Sequence, residues 1–302
     1  MELDFVRIEC EIIDKKSAQL TDALNNELRN FEAYFKSSSC LVDHKLCSSC
    51  DLQVECAYRI VFNQALSSDP ETVRLHQKPS LPFSLYISCI SDNTLLCTSG
   101  IIVIGYAVNY VEYFHAALLE MIMKCVNTAT QSTDALLRSY SLNYLGERHE
   151  ISHAASLLEN VILLSGRHIL QNSVHSECIK LILKSPLRLL SNGSITRRFD
   201  FAAFFCSQLR RCSSLWAYYG VGELDLDFVQ LSGYSQNVTA LDNSIKYIQP
   251  SWSGKLNRAG LTGTVECVGL VDPMIPLLIL GSYFNAGKGA SYGSGFHQIE
   301  VE

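Results

Sequence analysis

From Leu277 to Ile299 the chain reads LLILGSYFNAGKGASYGSGFHQI, a run with five glycines and with Lys288, Ser291 and Tyr292 set among them. Glycines this dense permit positive φ and a close approach of the backbone to a partner. Successive N–H groups on such a loop can form an anion-binding concavity, with the ammonium of Lys288 and the ring of Tyr292 beside it. The chemistry this composition suits is binding of a phosphate-bearing ligand through Gly287, Lys288, Gly289, Ser291, Tyr292, Gly293 and Gly295. Neither common nucleotide loop fits. A P-loop needs GxxxxGK followed by Ser or Thr, a dinucleotide fingerprint needs GxGxxG, and both follow a strand and open a helix. Here Gly289 follows Lys288, and the order is apolar helix, loop, alternating strand. A glycine turn that merely admits the last strand to a sheet explains one or two glycines, not the whole cluster.

A second group with chemical potential is the run Cys40, His44, Cys47, Cys50 and Cys56. Cys47 and Cys50 have the CxxC spacing, and Cys40 and Cys56 lie close enough in sequence to complete a four-thiolate zinc site. Their outer spacings are not those of a common zinc ribbon, so reduced, unliganded thiols remain the alternative. A thioredoxin-like redox motif is disfavoured, because this CxxC ends a loop instead of joining a strand to a long helix. The start MELDFVRIEC is acidic and alternating, unlike a secretory leader, and no apolar run approaches a bilayer-spanning length. A soluble, cytoplasmic protein with no membrane association is expected, where twelve cysteines are more plausibly thiols or metal ligands than a disulfide framework.

Charge narrows the partners. The net charge of −6 is unevenly spread: residues 1–175 hold 13 Lys and Arg against 20 Asp and Glu, and residues 176–302 hold 11 against 10. A nucleic-acid site must therefore come from local patches and not from the overall field. The second half offers Arg197 with Arg198, Arg210 with Arg211, and Lys255 with Arg258. A solvated helix face is the rival reading for Arg210 and Arg211, since adjacent helical residues cannot both face one partner.

These residues need elements to hold them. At 302 residues, 48% of them apolar, two domains of ordinary size are expected, over 1–172 and 173–302. In the first, 5–13 alternates as a half-buried strand, 17–35 has helical spacing with Ser17 able to cap it, and 57–64 is a short helical run. Residues 95–108 form an apolar, β-branched stretch of strand, 112–126 a core-facing helix, 140–144 a further strand, and 146–172 a mixture of strand and turn. In the second, a strand over 175–183, a helix over 199–219, strands around Phe228, at 246–252 and at 261–269, a helix opened by Asp272 and Pro273, and a final strand follow in order. That is the split βαβ, or ferredoxin-like, plan, and the fold class is α+β.

Three ordered motifs carry a resemblance: Lys184-Ser185-Pro186-Leu187-Arg188-Leu189-Leu190-Ser191-Asn192-Gly193, the segment from Phe199 through Arg210-Arg211-Cys212-Ser213-Ser214-Leu215, and the GKGASYGSG loop. Together with the cysteine-rich segment ending Cys56-Ala57-Tyr58-Arg59, they resemble the sixth family of CRISPR-associated proteins, the repeat-processing endoribonucleases of the RAMP superfamily. The resemblance spans most of the chain. It implies two tandem ferredoxin-like domains and a glycine-rich loop that contacts CRISPR repeat RNA. It also implies a role in antiviral defence: cleavage of pre-crRNA without a metal, in which a ribose 2′-OH attacks the adjacent phosphorus and leaves a 2′,3′-cyclic phosphate and a 5′-OH. No cofactor is implied for that chemistry. Position in the family points to His44 as the catalytic histidine, with Lys45 and Tyr34 near it for charge stabilisation, and His76 stands second. Lys288, the loop, Arg197, Arg198, Lys255 and Arg258 would bind RNA. Other effector subunits and a second copy of the chain are further partners the resemblance allows. A non-catalytic crRNA-binding subunit of the same superfamily is the alternative; a metal-dependent nuclease lacks the clustered carboxylates it would need.

Overall fold

The computed structural model describes residues 2–13, 17–42, 47, 50–52, 55–90, 96–130, 135–151, 156–172, 175–191, 193–222, 224–249 and 259–301. In the first half, strand β1 (Asp4–Ile13) leads to helices α1 (Ser17–Glu27) and α2 (Phe31–Ser39), separated by one tight turn at Leu28–Asn30. Short helices α3 (Ala57–Phe62) and α4 (Pro70–Leu75) precede the hairpin of β2 (Phe83–Ile90) and β3 (Leu96–Ile104). Helix α5 (Val111–Ala129), strands β4 (Leu136–Leu142) and β5 (Arg148–Glu150), helix α6 (Leu157–Asn160), strand β6 (Leu163–Ser165) and helix α7 (Gly166–Gln171) complete it.

The sheet runs β2-β3-β1-β4-β5, with β6 also on β1, and every one of these pairings is antiparallel. The alternation in β1 decides its two faces. Val6, Ile8, Cys10 and Ile12 enter the core beneath α1, α2 and α5, while Leu3 and Phe5 enter a second cluster on the reverse face.

The second half repeats the plan. Strand β7 (Cys178–Leu187), a small hairpin of β8 (Leu190–Ser191) and β9 (Ser194–Ile195), and helix α8 (Phe201–Tyr219) come first. Helix α9 (Phe228–Ser235), strands β10 (Thr239–Leu241), β11 (Lys246–Ile248) and β12 (Gly260–Val268), helix α10 (Met274–Phe284) and strand β13 (His297–Val301) follow. The sheet order β10-β12-β7-β13, with β11 on β12, is again ferredoxin-like. One expected strand is corrected: Phe228 opens a helix, because the Asp227 carboxylate accepts from the Gln230 N–H at 2.8 Å and caps it.

Helix α8 joins the halves. Its first turns bury Phe201, Phe204, Phe205 and Leu209 against the second sheet, and its last turns bury Cys212, Leu215, Trp216 and Tyr219 against the reverse face of the first. Phe284 at the end of α10 joins that shared cluster, where it meets Phe5 edge-on at 5.3 Å. Trp216 is 1% exposed, so Trp216→Ala would cost about 3–5 kcal/mol and loosen both domains together. Among the described residues no helix is long and apolar enough to cross a membrane.

Candidate nucleic-acid interface

The glycine-rich loop leaves α10 through Asn285, which holds φ +59° and donates from its amide to the carbonyls of Leu85 and Ala290, both at 2.9 Å. Gly287, Gly289, Gly293 and Gly295 all have positive φ. At Gly295 no other residue fits, because a Cβ would stand 2.0 Å from the Ala286 carbonyl oxygen. The expected amide nest gives way to a packed plug. The N–H of Gly287 donates to Ser207 Oγ, that of Lys288 to the Arg188 carbonyl, that of Gly293 to Ala290 and that of Gly295 to Pro186. These four amides serve the fold, and the exposed Lys288 side chain is the loop's free-standing cation. Tyr292 is likewise an anchor: its ring stands edge-on to Phe83 at 5.7 Å and packs on the first core. Burial raises its hydroxyl pKa to about 12. Ser291 is buried and accepts from Arg211 at 3.2 Å.

Opposite the loop, residues 63–82 of the first domain cross α8 as a strap. Asp69 caps α4 by accepting from the Thr72 N–H at 2.9 Å, with Pro70 in the first turn. The strap is fastened mainly by hydroxyls of α8. Ser213 Oγ lies 3.0 Å from His76 Nε2, Tyr218 Oη donates to the His76 carbonyl at 3.0 Å, and Ser214 Oγ accepts from the Ser80 N–H at 3.1 Å. Gln64 reaches the Tyr219 hydroxyl.

Strap, α8 and loop enclose a cleft of about 610 Å³. Its wall carries His76, Lys78, Arg188, Arg210, Arg211 and Lys288, with Gln77, Ser80, Ser207 and Ser214 between them and no carboxylate among the described lining residues. Five cations around one histidine form a receptor for a polyanion in a chain that is acidic overall. The Nε of Arg188 is buried without a hydrogen-bond partner among the described residues. Such a donor is costly to leave unmade unless a ligand oxygen takes it.

Comparison with known proteins assigns the two halves. Residues 3–158, just over half the chain, match the model AF_1859_N, an N-terminal domain, and residues 181–296 match the model of the CRISPR-associated endoribonuclease Cas6. The first half is therefore a domain of the AF_1859_N type, and the second half carries a Cas6-family domain. Thermus thermophilus Cas6 is similar over 99% of both chains at 13% identity and a TM-score of 0.54. Another Cas6, solved as a histidine-to-alanine mutant, is similar at 12% identity and a TM-score of 0.50, over 99% of this chain and 100% of its own. At such identities the likeness concerns the fold alone, here two tandem ferredoxin-like domains. No curated protein matches the chain.

Set against these two domain matches, the expected site residues divide. His44, Lys45, Lys255 and Arg258 lie outside the described residues. Tyr34 is buried on α2, its hydroxyl committed to Glu27, which also accepts from Lys124 at 2.8 Å; burial, with Glu27 beside it, raises its pKa to about 12. A hydroxyl so engaged is not free to stabilise charge in the cleft. Arg197 and Arg198 are exposed, and Arg197 stacks over the Tyr247 ring at 5.5 Å. Cys40, Cys47, Cys50 and Cys56 line one cavity of about 40 Å³ beside Lys36 and Tyr58. Among the described residues no three ligating side chains are arranged to hold a metal, so the zinc expectation rests on spacing alone. Sequence reasoning missed Lys78 and Arg188 and set Arg210 aside. Nothing in the local sequence around Lys78 or Arg188 marks either as a cleft residue.

Proposed function

We propose that this chain binds CRISPR repeat RNA in the cleft between strap and loop and cuts it by metal-independent attack of a ribose 2′-OH on the adjacent phosphorus. The observation that carries the reading is the acid-free cleft that sets His76 among Lys78, Arg188, Arg210 and Lys288. His76, with its Nε2 beside Ser213 Oγ, takes the 2′-hydroxyl proton. The new P–O2′ bond forms as the P–O5′ bond breaks, leaving a 2′,3′-cyclic phosphate, and the departing 5′-oxygen takes up a proton to become a 5′-OH. Cations fixed before the reaction offset the charge that builds on the phosphorane oxygens.

The test is cleavage of end-labelled repeat RNA from the same locus, in EDTA, with analysis of the product ends. One cut leaving a cyclic phosphate is the expected result. Loss of activity in EDTA would overturn the metal-free mechanism, and tight binding without a cut would return the chain to a crRNA-holding role. His76→Ala should slow the cut by about 10²–10⁴-fold with RNA affinity nearly unchanged. If His44→Ala abolishes cleavage while His76→Ala does not, the proton acceptor is on the cysteine-rich segment instead.

A further inference from the structure

Arg210 and Arg211 are neighbours on α8 with opposite surroundings. Arg210 is exposed in the cleft, whereas Arg211 is drawn into the seam between the domains. Its Nε donates to the Phe284 carbonyl at 2.6 Å, and its Nη2 donates to the Phe83 carbonyl and Ser84 Oγ, both at 3.0 Å, and to Ser291 Oγ at 3.2 Å. These acceptors come from β2 of the first domain, the end of α10, and the glycine-rich loop. Ser84 Oγ donates in turn to the Phe284 carbonyl at 2.8 Å, so the three pieces close on one guanidinium.

All four acceptors are neutral. Among the described residues no carboxylate pairs with Arg211, and burial pulls its pKa down to about 10. A part-buried cation bonded only to neutral groups lacks the counter-charge that would offset its partial loss of water. None of its bonds to the described residues uses Nη1, and the residue lines the acid-free cleft. The missing counter-charge is what a phosphate in the cleft would supply.

We infer that Arg211 is the positioning residue that couples occupation of the cleft by an RNA phosphate to the seating of the glycine-rich loop against the first domain. The inference rests on the proposed RNA-binding role of the cleft. A planar fork holds acceptors on three elements in one fixed geometry, whereas the donors of an ammonium turn freely on a flexible stem. Lys288 is carried by the loop that Arg211 seats, so loosening the clamp misplaces a cleft cation without removing it.

The test compares Arg211→Met, Arg211→Lys and Arg210→Met in the full chain. The readouts are single-turnover cleavage at saturating RNA, affinity for a repeat RNA with a 2′-deoxy nucleotide at the cut, and tryptic cleavage after Lys288 with and without that RNA. Arg211→Met should slow cleavage by about 30-fold or more while affinity falls only a few-fold, because misplacement of a positioned group acts on rate before binding. Trypsin should cut after Lys288 about tenfold faster, and the 2′-deoxy RNA should no longer protect that bond as it does in the wild type. Arg211→Lys should restore affinity but not the protection. Arg210→Met should weaken binding and leave the tryptic rate at the wild-type value.

Unchanged tryptic cleavage in a folded Arg211→Met, with activity lost only through affinity, would overturn the inference and make Arg211 a plain phosphate contact. If Arg211→Met does not fold, Ser84→Ala and Ser291→Ala each remove one acceptor from opposite sides of the clamp. Both should raise tryptic cleavage after Lys288, and no change in either would overturn the inference as well. Should the wild type cut no RNA, the proposed function fails alone. Proteolysis, with inorganic phosphate in place of RNA as the protecting anion, would still decide the role of Arg211.

Discussion

The glycine-rich loop and the strap face each other across one cleft, yet they are held by opposite means. The loop is held through its backbone, by four glycines at positive φ and by amides bonded to Ser207, Arg188, Ala290 and Pro186 of its own domain. The strap has little internal structure beyond α4 and is held from outside, by Ser213, Ser214, Tyr218 and Tyr219 of the other domain. A loop pinned at so many backbone points presents its single cation at a set place as long as its seat on the first domain holds. A strap fastened by hydroxyls can shift when those contacts change, and it is the strap that carries His76. Under the proposed function, the general base would stand on the adjustable wall and a phosphate-binding cation on the fixed one, an arrangement that lets substrate binding complete the site.

The difference can be broken most severely at the loop. Gly295→Ala places a Cβ 2.0 Å from the Ala286 carbonyl oxygen at φ +65°, where an L side chain is strained in any case. A loss of about 3 kcal/mol is expected, read as a lower urea midpoint at unchanged slope. A tolerated alanine would show that the loop is not internally fixed.

The strand entering from that loop adds a pH dependence. His297 is buried, accepts at Nε2 from the Gln208 amide at 2.6 Å, donates from Nδ1 to the Gly295 carbonyl at 2.8 Å, and has its pKa pushed down to about 4. The unfolded chain takes up this proton at the ordinary histidine value near 6.5, above the folded one. The contribution to stability is therefore complete above that value and is lost as pH falls from about 6.5 toward 4, by on the order of 2–3 kcal/mol. Thermal melts of wild type and His297→Gln between pH 7 and 4.5 check it. The variant should be less stable at pH 7 and should lose this part of the acid slope; an unchanged slope would show that other groups carry it.

How far these features were legible follows from what each one demands of the sequence. β1 needs alternation to bury Val6, Ile8, Cys10 and Ile12 on one face, and α8 needs apolar residues at helical spacing, so both could be read directly. The loop was found for its glycines, but glycine density reports a demand for unusual backbone, and here packing made that demand. Phe228 was misread because a short apolar run fits a strand as well as a helix, and the Asp227 cap decided it. The strap left almost no trace. Its residues carry no periodicity, and its place is dictated by Ser213 and Tyr218, more than 130 positions away in sequence. Arg211 was read as half of a basic pair, with a solvated helix face as the rival, because nothing local reveals that Phe83, Phe284 and Ser291 converge on it.

A milder test separates what the fixed wall contributes. Lys288→Ala removes the loop's exposed cation and leaves its amide, bonded to Arg188, in place. Stability should not change, while RNA affinity should fall and the slope of log affinity against log salt should drop by about 1. A salt slope identical to the wild type would place Lys288 outside the RNA path.

The smallest expected effect tests the adjustable wall. Ser213→Ala removes the hydroxyl that lies 3.0 Å from His76 Nε2, but Tyr218 still holds the His76 carbonyl and Ser214 still holds Ser80. The strap should therefore stay on α8, and the imidazole should lose only a partner that fixes its orientation. A neutral hydrogen bond of this kind is worth about 1 kcal/mol, so cleavage should slow by about fivefold while affinity and melting temperature stay where they were. A loss as large as that of His76→Ala would mean that Ser213 touches the reacting atoms. No effect on rate, with His76→Ala still inactive, would mean that substrate alone orients the imidazole and that the strap needs no help from α8 at that point.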